Sequence, residues 1–191
     1  MDSMINRVVK AAMLDREFYK RAETDTSLTQ EALMVVILVS VAGAVGSFIG
    51  GLIGGSIGAA FLGLIVSIIA GVATYYVWAY VTYFVGTQLF NATADVGELL
   101  RVLGYASGPR VLSILSFIPC VGGLAALAGS IWSLVAGFIG VKEALDLDTT
   151  KTLITVVIGW VIVAVITLAV SAVMGVGAIG LGAAGSLLRG N

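Results

Sequence analysis

The chain alternates long uncharged apolar stretches with short charged segments. The uncharged stretches cover residues 32–94, 111–141 and 152–188. A helix that crosses the hydrocarbon core of a bilayer needs roughly 20 predominantly apolar residues. The first stretch is long enough for two such helices, the second for one or two, and the third for one with residues to spare. The pattern therefore predicts a membrane protein built from helices.

The predicted fold is all-α: a polytopic bundle of five transmembrane helices preceded by a short interfacial helix. The spans are expected at about residues 32–53, 59–86, 102–118, 121–141 and 152–174. Glycine and proline place the two hairpin turns at residues 54–58 and 119–123. If the glycine rows of the first hairpin stay helical, its turn moves toward Gly58. Glycine lowers helix propensity, so residues 175–191 are expected to form a glycine-rich tail, with a sixth, short span as the alternative.

The segment before the first span, residues 1–31, mixes charged and apolar positions. Residues 4–21 can form a helix with an imperfect apolar side, which contains Ile5, Val8, Val9, Ala12 and Tyr19. Such a helix can lie on the cytoplasmic leaflet, and packing under the bundle is the alternative. Capping residues indicate three helix starts: Ser27 with Gln30, Asp95 with Glu98, and Asp148 or Thr149.

Composition and charge agree with a membrane location and give the topology. Hydrophobic residues make up 59% of the chain and charged residues 11%, against about 25% charged in soluble domains. With five spans, every basic residue except Arg189 lies on one side, which predicts a cytoplasmic N-terminus. The expected location is the plasma membrane if the source is prokaryotic. A net charge of −1 gives no indication of nucleic-acid binding.

The residues that usually carry catalysis or bind metals are scarce. The chain has no histidine and a single cysteine, Cys120. We therefore expect no catalytic site, no metal and no cofactor. Arg110 is the one charged residue inside a predicted span, and because it follows Pro109, the helix is expected to start there with Arg110 at the interface.

Two rows of residues in the first hairpin are candidate functional features. The first row consists of glycines four residues apart: Gly46, Gly50, Gly54 and Gly58. Small residues at this spacing let helices approach closely, either within one subunit or between copies in a homo-oligomer. The second row is a candidate polar seam on one face of the second span: Tyr76, Tyr80, Tyr83 and Thr87. It is typical of an interfacial aromatic belt, or alternatively of a seam that contacts a ligand or partner.

Several short motifs resemble a known family in their order and spacing. They are LDREFY at residues 14–19, FVG at 84–86, ELLRVLGYASGP at 98–109, Ile118-Pro119 with Gly122, IW at 131–132, GVKEAL at 140–145 and Thr150-Lys151. Over about residues 5–172 the chain resembles a bacterial-type member of the Yip1 family. The positions that match the family-like motif include Gly104, Tyr105, Pro109 and Pro119.

The resemblance implies five spans with a cytoplasmic N-terminus and gives no catalytic residue. Eukaryotic relatives act in early secretory membrane traffic and associate with prenylated Rab GTPases. Their long N-terminal region and its short Tyr-Gly motif do not occur here, so we do not expect a Rab-type GTPase partner. The expected function is that of a non-enzymatic scaffold, adaptor or membrane-organising protein. Its expected partners are membrane lipids, further copies of itself or other membrane proteins.

The alternative function is a small transporter or channel for an uncharged or lipid-like solute. The tyrosine seam would line its path. Intramembrane carboxylates, on which ion-coupled transport usually depends, do not occur in the predicted spans.

Overall fold

The computed structural model describes residues 3–53 and 57–189, and this part of the chain is helical without strands. Its α-helices are α1 (Met4–Ala12), α2 (Arg16–Thr24), α3 (Thr29–Ile53), α4 (Ile57–Phe90), α5 (Val96–Ala106), α6 (Val121–Ala144) and α7 (Thr149–Arg189). Two 3₁₀ segments, Thr26–Leu28 and Gly108–Phe117, precede α3 and follow α5.

Four helices of the described chain are long and apolar enough to cross a membrane. They are Thr26–Ile53, Ala60–Phe90, Val121–Ala144 and Thr149–Val170. These helices contain most of the first, second, fourth and fifth predicted spans. The all-α membrane bundle is therefore confirmed, with four long helices where five were expected.

The third predicted span, residues 102–118, is not a single α-helix. Helix α5 ends at Ala106, and the chain continues as the ten-residue 3₁₀ segment Gly108–Phe117. Pro109 explains the change, because proline has no N–H to donate and disfavours α-helical geometry in the residue before it. The amide of Arg110 instead bonds three residues back, to the carbonyl of Ser107, at 3.0 Å.

Helix α5 and the 3₁₀ segment together lie lengthwise along α3 and run in the same direction. Near one end, a Cβ on Gly104 would be 2.8 Å from the Cβ of Ala32. Further along, a Cβ on Gly46 would be 2.6 Å from the carbonyl oxygen of Ile114. Helix α3 and the segment made of α5 and the 3₁₀ stretch thus stay in close contact over most of the length of α3.

The same segment runs along α6 in the opposite direction. A Cβ on Gly140 would be 3.0 Å from the Cβ of Val102, and one on Gly129 would be 2.6 Å from the carbonyl oxygen of Pro109. An α-helix rises about 1.5 Å and a 3₁₀-helix about 2.0 Å per residue, so the segment is about 36 Å long. The whole segment is therefore long enough to cross a membrane, whereas each of its two helical parts alone is too short.

The N-terminal segment forms two short helices rather than one. The chain turns between α1 and α2 at Leu14, whose φ is 64°. Tyr19, expected on the same apolar side as Ile5, is fully buried, whereas Ile5 is 69% exposed. A short N-terminal helix is thus confirmed, and its apolar residues divide between the protein core and the outer surface.

The helix boundaries test the remaining sequence predictions. The capping box of Asp95 and Glu98 is confirmed, as is Asp148, which accepts from the amides of Thr150 and Lys151. Ser27 as an N-cap is wrong, because Asp25 caps the preceding 3₁₀ turn.

Helix α3 ends at Ile53 and α4 begins at Ile57. The predicted first hairpin turn falls largely on residues 54–56, which lie outside the described residues. The expected tail, residues 175–191, continues α7 as far as Arg189. Its position relative to the membrane stays a prediction.

Candidate functional site at the charged end of the bundle

Helix α5 packs within the hydrophobic core of the chain, to which Phe18, Tyr19 and Tyr105 contribute aromatic rings. Around it pack α1, α2, the first turns of α3 and the last turns of α4 and α6, which together we call the charged end of the bundle. The family-like residues Gly104, Tyr105 and Pro109 are all buried there. Pro119 lies at the opposite end, in the exposed connection to α6.

A three-residue network fastens α1 to α3 and α5. The Nε of Arg7 donates to Oε1 of Glu31 at 2.7 Å, and its Nη2 donates to the other carboxylate oxygen. The hydroxyl of Tyr105 donates to Oε1 of Glu31 at 2.6 Å. A two-point guanidinium–carboxylate pair is among the stronger hydrogen-bonded contacts in proteins. Because one carboxylate receives donors from α1 and from α5, it fixes the two helices relative to α3.

Arg101 fastens α5 to α2. Its side chain is buried, and Nε donates to the carbonyl of Ala22 at 2.9 Å while Nη2 donates to the carbonyl of Glu23. A third donor, Nη1, reaches the hydroxyl of Thr29 at 3.4 Å. The last carbonyls of a helix have no partner within the helix. Arg101 satisfies two such carbonyls in the last turn of α2 and brings its positive charge to the end where the helix dipole favours it.

Three further hydrogen bonds join α5 and α1 to the long helices. The hydroxyl of Tyr75 in α4 donates to the carbonyl of Leu100 at 2.6 Å, and Ser133 in α6 donates to that of Ala106 at 2.8 Å. The indole Nε1 of Trp132 donates to the carbonyl of Ala12 at 2.6 Å. The charged end is therefore held by specific side chains from α4 and α6 as well as by packing.

Glu23 has an unusual environment at this end. Its Oε2 atom is buried and has no hydrogen-bond partner within the described chain. Burial, followed by the negative charges of Asp146, Glu98 and Glu143, raises the pKa of Glu23 to about 7, and the charge of Lys20 opposes the shift. Glu23 is thus the acidic group here whose protonation changes near neutral pH.

The tyrosines of the second span do not form one continuous buried seam. Tyr80 is 55% exposed and Tyr76 36%, so both point away from the core, whereas Tyr83 is partly buried against it. The hydroxyl of Thr87 donates to the carbonyl of Tyr83 in its own helix. The use of these residues for transport stays a prediction, and the structure places Tyr76 and Tyr80 on the outer surface.

The glycine row also divides between two environments. Gly46 packs against the 3₁₀ segment, a Cβ on Gly50 would be 3.9 Å from the Cα of Phe117, and Gly58 has open space around it. Gly54 lies outside the described residues. A cavity of about 210 Å³ opens between α3 and α4 nearby, lined by Ser47, Phe48, Gly51, Ala60, Gly63, Leu64 and Ser67. None of the four seam residues lines it.

The arrangement at the charged end is suited to holding helices together. Among the described residues, no three histidine, cysteine, aspartate or glutamate side chains come together as a metal site would require. The half-buried Arg7 and Glu31 and the buried Arg101 and Tyr105 have polar groups that are engaged with one another or with backbone carbonyls.

A comparison with models of protein families shows which family this chain belongs to. The family model of the Yip1 domain matches residues 12–180. The chain belongs to the Yip1 family. No curated protein and no solved structure matches it. The matched range in this Yip1 chain includes α2, α5 and all four long helices, and so the charged end apart from α1.

Sequence reasoning missed the functional pairing of charges in this Yip1 chain. Arg7 entered only as a basic residue that sets the topology, Arg101 also as part of the motif at residues 98–109, and Glu31 as the charge before the first uncharged stretch. Glu23 was not singled out. A signal for Arg101 existed, since it interrupts the apolar run at residues 99–106 and a charge within such a run needs partners when it is buried. The partners themselves are 24 to 79 residues away in sequence, beyond the range of any local pattern.

Proposed function

We propose that this Yip1-family chain is a non-enzymatic membrane scaffold that shapes or organises the bilayer through its charged end. That end faces the cytoplasm, in the plasma membrane if the source is prokaryotic. The positions of the basic residues support this orientation, because basic residues in short loops mark the cytoplasmic side. Its partners are lipids, further copies of the chain or other membrane proteins.

The observation that carries the proposal is the way α1 is mounted on the bundle. Ile5 and Val9 of α1 and Met13, the residue that caps its C-terminus, have 69%, 48% and 74% of their surface exposed. Their spacing of four residues puts them on one side of the helix. An apolar ridge of this kind on a helix with basic residues is typical of helices that lie in the membrane interface.

The other side of α1 is fixed to the protein. Arg7 is paired with Glu31, and the carbonyl of Ala12 accepts from Trp132. A Cβ on Gly108 would be 2.8 Å from a methyl group of Val8, so α1 also touches the start of the 3₁₀ segment. A fixed interfacial helix inserts its apolar ridge into one leaflet at a set position beside the spans. Inserted volume in one leaflet favours curvature, which is how a small bundle can organise membrane.

Reconstitution into vesicles tests this function. We expect the wild-type chain to reduce the mean vesicle diameter, measured by electron cryomicroscopy at fixed protein-to-lipid ratios. The triple variant Ile5→Ser, Val9→Ser, Met13→Ser should lose the effect because the ridge becomes polar. The matched control Ile5→Leu, Val9→Leu, Met13→Leu keeps the ridge apolar and should retain it. Equal vesicle diameters for the serine variant and the wild type would contradict the proposal.

A further inference from the structure

Arg110 differs from the other arginines that lie against the bundle. The guanidinium groups of Arg7 and Arg101 are occupied by a carboxylate and by backbone carbonyls. Arg110 is exposed, and across the residues that the structure describes its side chain makes no hydrogen bond and no ion pair. A cation without a partner at the surface of a membrane bundle needs a counter-charge from outside the chain.

The backbone of Arg110 lies well within the length of α6. A Cβ on Gly129 would be 3.4 Å from the Cα of Arg110. At about 1.5 Å per residue, that level is about 12 Å from Val121 and about 20 Å from Lys142 along α6. A helix that crosses the bilayer brings this level into the hydrocarbon or to its edge.

Helix α1 lies just above the same level. Trp132, on the next turn of α6 toward Lys142, donates to the carbonyl of Ala12 at the end of α1. Val8 of α1 contacts Gly108, two residues before Arg110. If α1 lies in the interface, the backbone of Arg110 lies about one helical turn of α6 deeper than Ala12, on the hydrocarbon side, and its long side chain can reach back to the headgroups.

The neighbouring helices offer no counter-charge. Along the sequence, no acidic residue occurs between Glu31 and Asp95 or between Glu98 and Glu143, so the membrane parts of α3, α4 and α6 contain none. The residues that follow Arg110, Val111 and Leu112, are apolar and exposed. The surface around the guanidinium thus combines one unpaired cation with apolar side chains, which complements a phosphate attached to acyl chains.

We propose that Arg110 binds the phosphate of an anionic phospholipid whose acyl chains lie against the exposed apolar residues of the 3₁₀ segment, among them Val111, Leu112 and Ile114. Guanidinium groups bind phosphate through two parallel hydrogen bonds, which lysine cannot reproduce. A zwitterionic headgroup carries its own cation beside the phosphate and competes with Arg110 for it. An anionic headgroup has no such internal cation, so the site prefers it. The inference goes beyond scaffolding, because it concerns lipid bound to a single copy of the chain.

Lipid exchange measured by native mass spectrometry tests the site. The full chain, purified in detergent, is titrated with phosphatidylglycerol or phosphatidylcholine, and the bound lipids per protein are counted. Because charge-assisted hydrogen bonds are among the stronger ones, we expect Arg110→Gln to reduce the preference for phosphatidylglycerol roughly tenfold or more. Arg110→Lys should keep part of the preference. Arg16→Gln, which removes a guanidinium from an exposed position of α2, should keep all of it.

Three results would overturn the proposal. One is the absence of any lipid preference in the wild-type chain, and another is an equal loss in Arg110→Gln and Arg16→Gln. The third is displacement of the bound lipid by millimolar inorganic phosphate, which would indicate a simple anion site without a role for the acyl chains. Should Arg110→Gln misfold, the reduced preference of Arg110→Lys relative to wild type still decides the question. Vesicle shape does not enter this measurement, so it can fail independently of the scaffold function.

Discussion

Arg101 shows how much of this molecule depends on single polar side chains. In the sequence it stands directly before the third predicted span, where it counts as a loop cation that marks the cytoplasmic side. In the structure it is buried and donates to the end of α2 at Ala22 and Glu23. The positive charge could be predicted from the sequence, but its acceptors could not, because they are backbone carbonyls whose position depends on the tertiary fold.

The titration of Glu23 makes the stability of the folded chain depend on pH. Its ordinary pKa is 4.5 and its folded value is about 7, so between these values the folded chain keeps a proton that the unfolded chain has released. Stability is therefore lost as the pH rises through this window, and the loss is complete above it. We expect Glu23→Gln to reduce the fall in thermal stability between pH 5 and pH 8 in detergent.

The control for this measurement is Glu17→Gln, which changes an exposed carboxylate of α2. Its pH profile should follow the wild type. A Glu23→Gln profile as steep as that of the wild type would show that Glu23 is not the group that titrates.

The break between α5 and the 3₁₀ segment is the feature of greatest interest at the element scale. Long 3₁₀ runs are uncommon because their hydrogen bonds are poorly aligned, and non-α backbone at membrane depth is tolerated where protein covers it. Gly46 from α3 and Gly129 from α6 supply that cover by close backbone approach. Pro109 was a sequence signal for the break. The apolar run on both sides of it fitted a single span equally well, so the 3₁₀ geometry could not be predicted from it.

Two glycines of α6 allow the cost of overpacking to be measured separately from the gain in helix propensity. A Cβ on Gly129 would be 2.6 Å from the carbonyl oxygen of Pro109, whereas a Cβ on Gly123 would meet nothing within 4 Å. We expect Gly129→Ala to lower the free energy of unfolding by about 1–3 kcal/mol through overpacking. Gly123→Ala should raise it by up to about 1 kcal/mol through better helix propensity. Denaturation in detergent, followed by tryptophan fluorescence, measures both changes.

If the Gly129→Ala variant were more stable than the Gly123→Ala variant, the close contact between α6 and the 3₁₀ segment would be excluded. Equal effects would mean that the segment can move away from α6 at little cost.

At the scale of the whole molecule, the sequence was most informative about the long helices. Uncharged stretches exist because hydrocarbon surrounds them, so the membrane class and the approximate positions of α3, α4, α6 and α7 could be predicted from length and charge alone. The assembly of the charged end could not. It depends on contacts such as those of Arg7 with Glu31 and of Trp132 with Ala12, which join positions distant in sequence.

The topology of the whole molecule depends on one crossing: we expect α5 and the 3₁₀ segment together to pass through the membrane between α3 and α6. The native cysteine tests it directly, because Cys120 is exposed at the far end of that segment, in the connection to α6. The measurement is labelling by a membrane-impermeant maleimide in intact and in permeabilised cells. It compares the wild-type chain with the double variant Cys120→Ser, Thr26→Cys, which carries its only thiol at the charged end.

We predict that Cys120 is labelled in intact cells and that the thiol at position 26 is labelled only after permeabilisation. Labelling of both thiols from the same side would contradict the crossing and, with it, the position of the charged end relative to the rest of the bundle.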